Sequence, residues 1–307
     1  MLVNVLMCTY NGEKYIKEQI DSILNQTHED LCLYIRDDGS TDQTLEIIAE
    51  YERNNPGRVV VMDPLKHLGY PDCFWDILAR CPKADYYAFS DQDDVWDERK
   101  LECAVELLGS SFDATKKPLL FIHDYEICDG IENVTGVHRL SDAGTADHTR
   151  VMFYTIAQGF SFVINSAMRD HLVKQRLFGR DISHDQWIIW NAVFSGEIVS
   201  DARLLAKYRR HESTVTKSGA NVIVMLDNWI KNEIFGDEFS RQCARLRAYI
   251  AENGSGMSAK ERTDWEILSG AKSGAGAYFK RLFFGKRLRP SLAGELALRF
   301  NFLIGMK

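Results

Sequence analysis

Val3-Asn4-Val5-Leu6-Met7-Cys8-Thr9-Tyr10-Asn11-Gly12 runs from a short, largely apolar segment into a polar turn. A run this short reads as a buried strand, and Ile16, Ile20, Ile23 and Leu24 then recur at helical spacing. The alternation repeats. Residues 31–35 read as a second strand, Asp37-Asp38-Gly39-Ser40 as its turn, and Leu45, Ile48 and Glu52 as successive turns of a helix capped by Ser40 or Thr41. Residues 58–62 and 84–89 read as further strands, with a helix over 72–79 between them. Strand and helix alternating at this interval predict βαβ units, hence an α/β fold with a mostly parallel sheet covered by helices on both faces.

In such a sheet, ligands sit outside the carboxyl ends of the strands. The loops at those ends are residues 9–13, 37–41 and 90–96, and two of them are acidic. No GxGxxG or GxxxxGK[ST] occurs, which disfavours a dinucleotide dehydrogenase and a P-loop NTPase. Strand-like segments continue at 119–123, 159–164 and 197–199. Beyond about residue 217 the composition turns helical, at 222–230, 240–251 and 260–268. The sequence therefore predicts a domain over 1–217 and a helical extension over 218–307.

Composition narrows the function. The 307 residues are 45% hydrophobic and 26% charged with only 6 Pro, as in a folded globular protein. A net charge of −7 argues against a nucleic-acid partner. That charge is uneven: from Ile267 to Lys307, eight Lys and Arg face Glu295 alone. There Tyr278-Phe279-Lys280-Arg281 and Lys286-Arg287-Leu288-Arg289 interleave rings and cations, and Leu292, Leu296, Phe300 and Leu303 recur at helical spacing. Such a segment, residues 278–304, suits peripheral contact with an anionic membrane or packing on the protein or a partner subunit. Seven scattered cysteines without a CxxC pair, no signal-peptide pattern and no long apolar span predict a cytoplasmic protein, peripheral on the inner face of the plasma membrane.

The acidic loops suggest chemistry. Asp91-Gln92-Asp93-Asp94 bunches carboxylates at a strand end, where they repel unless a cation compensates. A hard ion such as Mg²⁺ or Mn²⁺, completed by substrate phosphate oxygens, would do so. A solvated turn ahead of the helix starting near Glu98 is the alternative. Asp37-Asp38 reads either as a turn or as a pair of fixed acceptors, one facing the imide N–H of a pyrimidine base. Thr9, Tyr10 and Glu13 stand ready to pack on or hydrogen-bond the base and ribose.

Cys8-Thr9-Tyr10-Asn11-Gly12, Arg36-Asp37-Asp38-Gly39-Ser40-Thr41-Asp42 and Ser90-Asp91-Gln92-Asp93-Asp94-Val95-Trp96, in that order, resemble the motifs of the inverting family-2 glycosyltransferases of GT-A fold. The likeness is to bacterial rhamnosyltransferase-like members that build surface polysaccharide, and it covers residues 1–217. It implies a donor such as dTDP-rhamnose or, as the rival, a UDP-hexose or UDP-N-acetylhexosamine, and a saccharide or lipid-linked saccharide acceptor. It also implies roles. Asp38 would accept from the base, Asp91 would contact the ribose or diphosphate, and Asp93 would ligate Mn²⁺ or Mg²⁺. In His184-Asp185-Gln186-Trp187, Asp185 matches the catalytic base. In Tyr208-Arg209-Arg210-His211, Arg209 would face the diphosphate and His211 would join the metal. Gly159 and Phe160, with Trp187, would border the acceptor. Where relatives often carry Asn-x-Gly, this chain has His67-Leu68-Gly69. A homo-oligomer is a further expected partner arrangement. A sugar nucleotidyltransferase would want a glycine-rich basic loop after the first strand, which is missing. A non-catalytic carbohydrate-binding scaffold is the reading from another class.

Overall fold

A computed structural model describes residues 1–63, 66–111, 116–130, 133–143, 147–175, 182–210 and 237–304. Contacts divide the chain into two compact units: Met1–Leu140 with Ala157–His211, and Ser141–Ile156 with Glu212–Lys307. The cut expected at 217 falls outside the described residues, as does the helix expected over 222–230. A single cut does not anticipate that Ser141–Ile156 joins the second unit.

The first unit holds β1 (Val3–Thr9), α1 (Ile16–Leu24), β2 (Leu31–Asp37), α2 (Thr44–Asn54), β3 (Val59–Met62), α3 (Asp72–Arg80), β4 (Tyr86–Ser90), β5 (Val95–Trp96) and α4 (Lys100–Gly109). After these come β6 (Leu119–Cys128) and β7 (Val134–His138); a single turn α5 (Leu140–Ala143) leads into the second unit, and the first resumes with β8 (Val163–Asn165), α6 (Ser166–Val173), α7 (His184–Ser195) and β9 (Glu197–Arg209). The strands form one sheet in the order β3-β2-β1-β4-β8-β6-β9-β5, with β7 on β6. From β3 to β4 every pairing is parallel. Beyond β4 the sheet is mixed: β8 runs antiparallel to β4 and β6, while β9 runs parallel to β6. The expected mostly parallel sheet thus holds where strands and helices alternate one for one, and it ends past α4, where that alternation stops.

Every residue of β1 is buried, as a central strand covered on both faces requires. Val3, Val5 and Met7 pack in one cluster with Ile16, Ile20 and Ile23 of α1 and Ile47 and Ile48 of α2. Full burial of each such side chain stabilises by about 1.5–3 kcal/mol. The predicted cap of α2 is corrected. The helix starts at Thr44 because the Ser40 hydroxyl donates to Asp37 instead, while Asp42 accepts from the Thr44 N–H at 3.0 Å. The strand expected over 159–164 is a 3₁₀ turn, Gly159–Ser161, followed by β8.

The second unit contains α8 (Glu238–Asn253), α9 (Ala259–Leu268), α10 (Ala275–Leu282) and α11 (Leu292–Ile304). Ser258 and Glu261 form a reciprocal capping box at the start of α9. The 141–156 segment is tied in by Trp265 Nε1, which donates to His148 O at 2.7 Å, and by Gln242 Nε2, which donates to Met152 O at 2.6 Å. No helix among the described residues is long and apolar enough to cross a membrane. All seven cysteines are buried and free.

At the corner between α7 and β9, Gly196 lies against the chain entering β6. Glu197 N donates to Pro118 O at 3.0 Å, and a Cβ on Gly196 would overlap that carbonyl oxygen. Gly196→Ala is expected to cost about 2 kcal/mol through overpacking. For a unit of this size that lowers Tm by roughly 4–8 °C in a thermal melt.

Candidate active site

The register of three strands builds the site. β1 pairs with β2 so that Thr9 lies beside Asp37, and with β4 so that Met7 lies beside Ser90. The loops leaving these strands therefore emerge side by side, and hydrogen bonds hold them there. Asp37 accepts from the Thr9 hydroxyl at 2.9 Å and from the Gly39 and Ser40 N–H groups at 2.9 and 2.8 Å. Asn11 takes a positive φ of 49° and accepts from Thr41 N at 2.8 Å. Gln92 clasps Tyr10 at both ends, accepting from its N–H at 2.8 Å and donating to its carbonyl at 3.0 Å. Glu13 accepts from Gln43 N at 2.8 Å, just before α2. Of the residues expected to meet a nucleotide on the first loop, Thr9 is buried with its hydroxyl engaged, Glu13 ties the loop to α2, and Tyr10 presents an exposed ring.

Asp38 departs from expectation. It is buried, and its oxygens accept from Arg36, from Leu68 N at 2.9 Å and from Gly69 N at 2.6 Å, with His67 Nδ1 at 3.1 Å. A carboxylate offers about four lone-pair sites, and three of them are taken by Arg36, Leu68 and Gly69. Burial pushes the Asp38 carboxyl up, but Arg36 and the two N–H groups outweigh it and hold its pKa below the ordinary value. The His67-Leu68-Gly69 segment thus has a defined task as the clamp on Asp38. The exposed His67 ring also lies 5.7 Å from that of Tyr10. The clamp is illegible in sequence, since Asp38 and its Leu68 and Gly69 partners stand about thirty residues apart.

The third loop gathers acids over a buried cation. Asp91 lies within reach of the charges on Asp93 and Asp185. Burial, then those two charges, push its carboxyl up to about 7, against the pull of Lys100. Lys100 is fully buried, donates to Phe160 O at 2.5 Å and sits over the Trp96 ring. Its burial depresses its pKa, while Asp94 and Asp91 oppose that. A lysine opening an amphipathic helix carries no sequence signal for this place. The short strand β5 pairs antiparallel with the end of β9, Val95 beside Lys207, which brings Arg209 to the loop. Arg209 N donates to Asp94 Oδ1 at 3.2 Å, but its buried guanidinium pairs with Glu18 at 2.6 Å and lies over Tyr15. Through Glu18, Arg209 braces β9 against α1 beside the acidic loop. His211 lies outside the described residues.

Asp185 stands in the first turn of α7. Ser183, not Asp185, is the N-cap, and its side chain accepts from Gln186 N. The hydroxyl of Tyr70 approaches Asp185 Oδ1 at 3.5 Å. Burial around that phenol, then Asp185 and Asp91, hold its pKa above the ordinary range. The neighbouring His184 is buried, stacks on Phe74 at 4.2 Å, and has no hydrogen-bond partner on either ring nitrogen. Burial lowers its pKa, so the ring is neutral at pH 7. Gly159 permits this packing, because a Cβ there would overlap His184 Nε2. Two expected acceptor platforms are corrected. Phe160 stacks on Tyr208 at 5.1 Å and is 1% exposed; Trp187 is 2% exposed and donates to Gln175 at 2.7 Å. Both rings are core, where no sugar can reach them.

Among the described residues, no group of three or more His, Cys, Asp or Glu side chains surrounds one point as a complete metal cage. The donors at this loop are nevertheless hard oxygens, and Asp94 Oδ2 is buried without a hydrogen-bond partner. That set fits Mg²⁺ or Mn²⁺, which bind through one or two carboxylates and keep other positions for substrate oxygens. The crowding also has a pH signature. A carboxyl near 7 in the fold and about 4 in the unfolded chain takes up its proton preferentially in the fold between those values. Stability is therefore lost as the pH rises from 4 through 7. In chelator-treated protein, Asp91→Asn is expected to raise Tm over the parent at pH 8, with the gap closing by pH 5. Equal Tm values at pH 8 would count against the crowding.

Comparison with known proteins places this geometry. Residues 4–115 match the model of glycosyl transferase family 2. The dTDP-rhamnosyl transferase RfbG of Shigella flexneri is 37% identical over 105 residues, 33% of this chain and 36% of that one. An uncharacterized glycosyltransferase of Haemophilus influenzae is 28% identical over 239 residues, 68% of this chain and 66% of that one. This chain therefore spans about a third of the first relative's length and just under two thirds of the second's. The crystal structure of S. aureus TarS 1–349 in complex with UDP-GlcNAc superposes with a TM-score of 0.58 at 18% identity, covering 98% of this chain and 89% of that one. Residues 4–115, which carry the acidic loops, thus form a glycosyl transferase family 2 domain, and the chain has the GT-A fold along nearly its whole length.

Proposed function

We propose that the protein transfers a sugar, with inversion, from a nucleoside-diphosphate donor to a saccharide acceptor in cell-surface polysaccharide synthesis, with dTDP-rhamnose as the donor. The observation that carries this is the meeting of Asp91, Asp93 and Asp185 from two distant segments, where burial and then the charges of the other two push Asp91 up to about 7. Two of these acids lie where a donor's diphosphate would end and the third faces them from α7. The rhamnosyl choice leans on the likeness of the N-terminal third to a dTDP-rhamnosyl transferase.

Inversion needs the acceptor hydroxyl in line behind the anomeric carbon and a base to take its proton as the bond to the leaving diphosphate breaks. Asp185 is that base, received on the neutral His184 and steered by Tyr70. The exposed rings of Tyr10 and His67 form the wall on which the nucleobase stacks. Asp93, with Asp91 behind it, would hold Mn²⁺ or Mg²⁺, which when bound supplies charge neutralisation for the diphosphate. Lys100 tempers the acids from beneath.

On the helical unit, α11 packs Leu298 and Phe302 inward and leaves Leu292, Leu296, Phe300 and Leu303 exposed. With Phe279 of α10 and Phe283 at its C-terminal cap, both exposed, these side chains are the surface that rests on a membrane bearing a lipid-linked acceptor. The double substitution Phe279→Glu and Phe283→Glu is expected to shift the protein from the membrane to the supernatant fraction on sedimentation.

Sugar transfer measured with dTDP-rhamnose and with UDP-sugars, in Mn²⁺, tests the central reading. Asp185→Asn is expected to lower kcat by about 10²–10⁴-fold, the usual contribution of a general base, with little change in donor affinity. Equal rates for parent and variant would remove Asp185 from that role, and turnover of a UDP-sugar in preference to dTDP-rhamnose would reassign the donor.

A further inference from the structure

The loop joining α9 to α10 reads Ser269-Gly270-Ala271-Lys272-Ser273-Gly274 and borders a cavity of about 390 Å³ within the helical unit. Three cations line it: Arg247 from α8, Lys272 from the loop and Arg281 from α10. No aspartate or glutamate lines it. Arg281 is 8% exposed, and its Nε and Nη2 have no hydrogen-bond partner. Its guanidinium lies over the ring of Phe302 at 4.9 Å and near that of Phe239 at 5.7 Å. Burying a guanidinium so incompletely paired is costly unless an anion compensates. Burial and the like charge of Arg247 both lower its pKa.

The backbone around it is shaped for close approach. Gly270 has φ +74°, and a Cβ there would stand 2.5 Å from Arg281 Nη1. The N-cap of α10 is Gly274, which supplies no side chain to the first N–H groups of that helix. Open N–H groups at a helix start favour phosphate oxygens. Arg247 donates to Ser269 O at 2.8 Å, and Lys272 pairs with Glu266 at 2.9 Å, so both heads are held at the rim while Arg281 stands behind them.

We propose that this cavity binds a phosphate group, as a phosphomonoester or a diphosphate, with Arg281 as the buried anchor and Arg247, Lys272, Ser273 and the start of α10 around it. The proposal does not depend on the transfer reading. Phe279 and Phe283 occupy the exposed side of the same helix, their rings stacked at 6.4 Å. A phosphate carried on an apolar chain would meet cations and an apolar face together. A soluble phosphate offers the same oxygens without the chain.

The full chain, titrated calorimetrically with inorganic pyrophosphate and sedimented with phosphatidylcholine vesicles with or without phosphatidic acid, separates these sources. Arg281 is part of the packed interior, so the variant used is Ser273→Asp, which adds an acid at an exposed position of the rim. Ala244→Asp adds the same charge on the exposed side of α8. Ser273→Asp is expected to weaken binding at least tenfold in one or both arms, with Ala244→Asp like the parent. Loss toward pyrophosphate, with or without loss toward vesicles, supports a soluble phosphate ligand. Loss toward phosphatidic acid vesicles alone supports a lipid headgroup. No binding by the parent in either arm, no effect of Ser273→Asp, or equal losses in the two variants overturns the proposal.

Discussion

The parallel pairing of β1 between β2 and β4 is the constraint on which the site rests. Because Thr9 lies beside Asp37 and Met7 beside Ser90, three polar loops leave the sheet at one edge and within hydrogen-bond reach of each other. A one-residue slip of β1 would turn its buried Val3, Val5 and Met7 away from α1 and α2. Burial of those side chains therefore fixes the register, and the register fixes the chemistry at the strand ends. Cys8, at the end of this strand, lies within electrostatic reach of both Arg36 and Asp91, which marks how closely the clamp around Asp38 and the acidic loop adjoin.

Electrostatics divides the loop residues into supports and working groups. Asp37, Asp38 and Glu13 accept hydrogen bonds from the chain itself and hold loops in place, and Arg209 ties β9 to α1 through Glu18. Asp91 is repelled by both Asp93 and Asp185, a repulsion that the charge on Lys100 opposes. A protein gains nothing in stability from such crowding. It is consistent with a site whose balance is completed by a bound cation and by substrate.

The helical unit handles its charge differently. Arg299 is fixed by Glu295 and by the carbonyls of Leu282, Phe284 and Lys286, and Lys286 pairs with Asp147 at 2.6 Å. Much of the positive tail is therefore internal bracing. What stands out against that background is Arg281, buried beside its cavity without comparable compensation.

The alternation of apolar runs and polar turns determined by itself the first four strands, their helices and the three loops that carry the acids, because each of those signals is local. The type and spacing of Asp91, Asp93 and Asp185 were equally legible. Only the tertiary structure decided which groups remain open. Asp38 accepts from Arg36 and from two N–H groups some thirty residues away, Lys100 is buried against Phe160 and Trp96, and the rings of Phe160 and Trp187 turn into the core. A side chain's partners come from wherever folding brings the chain, so one-dimensional periodicity names the groups at a site without saying which are already taken.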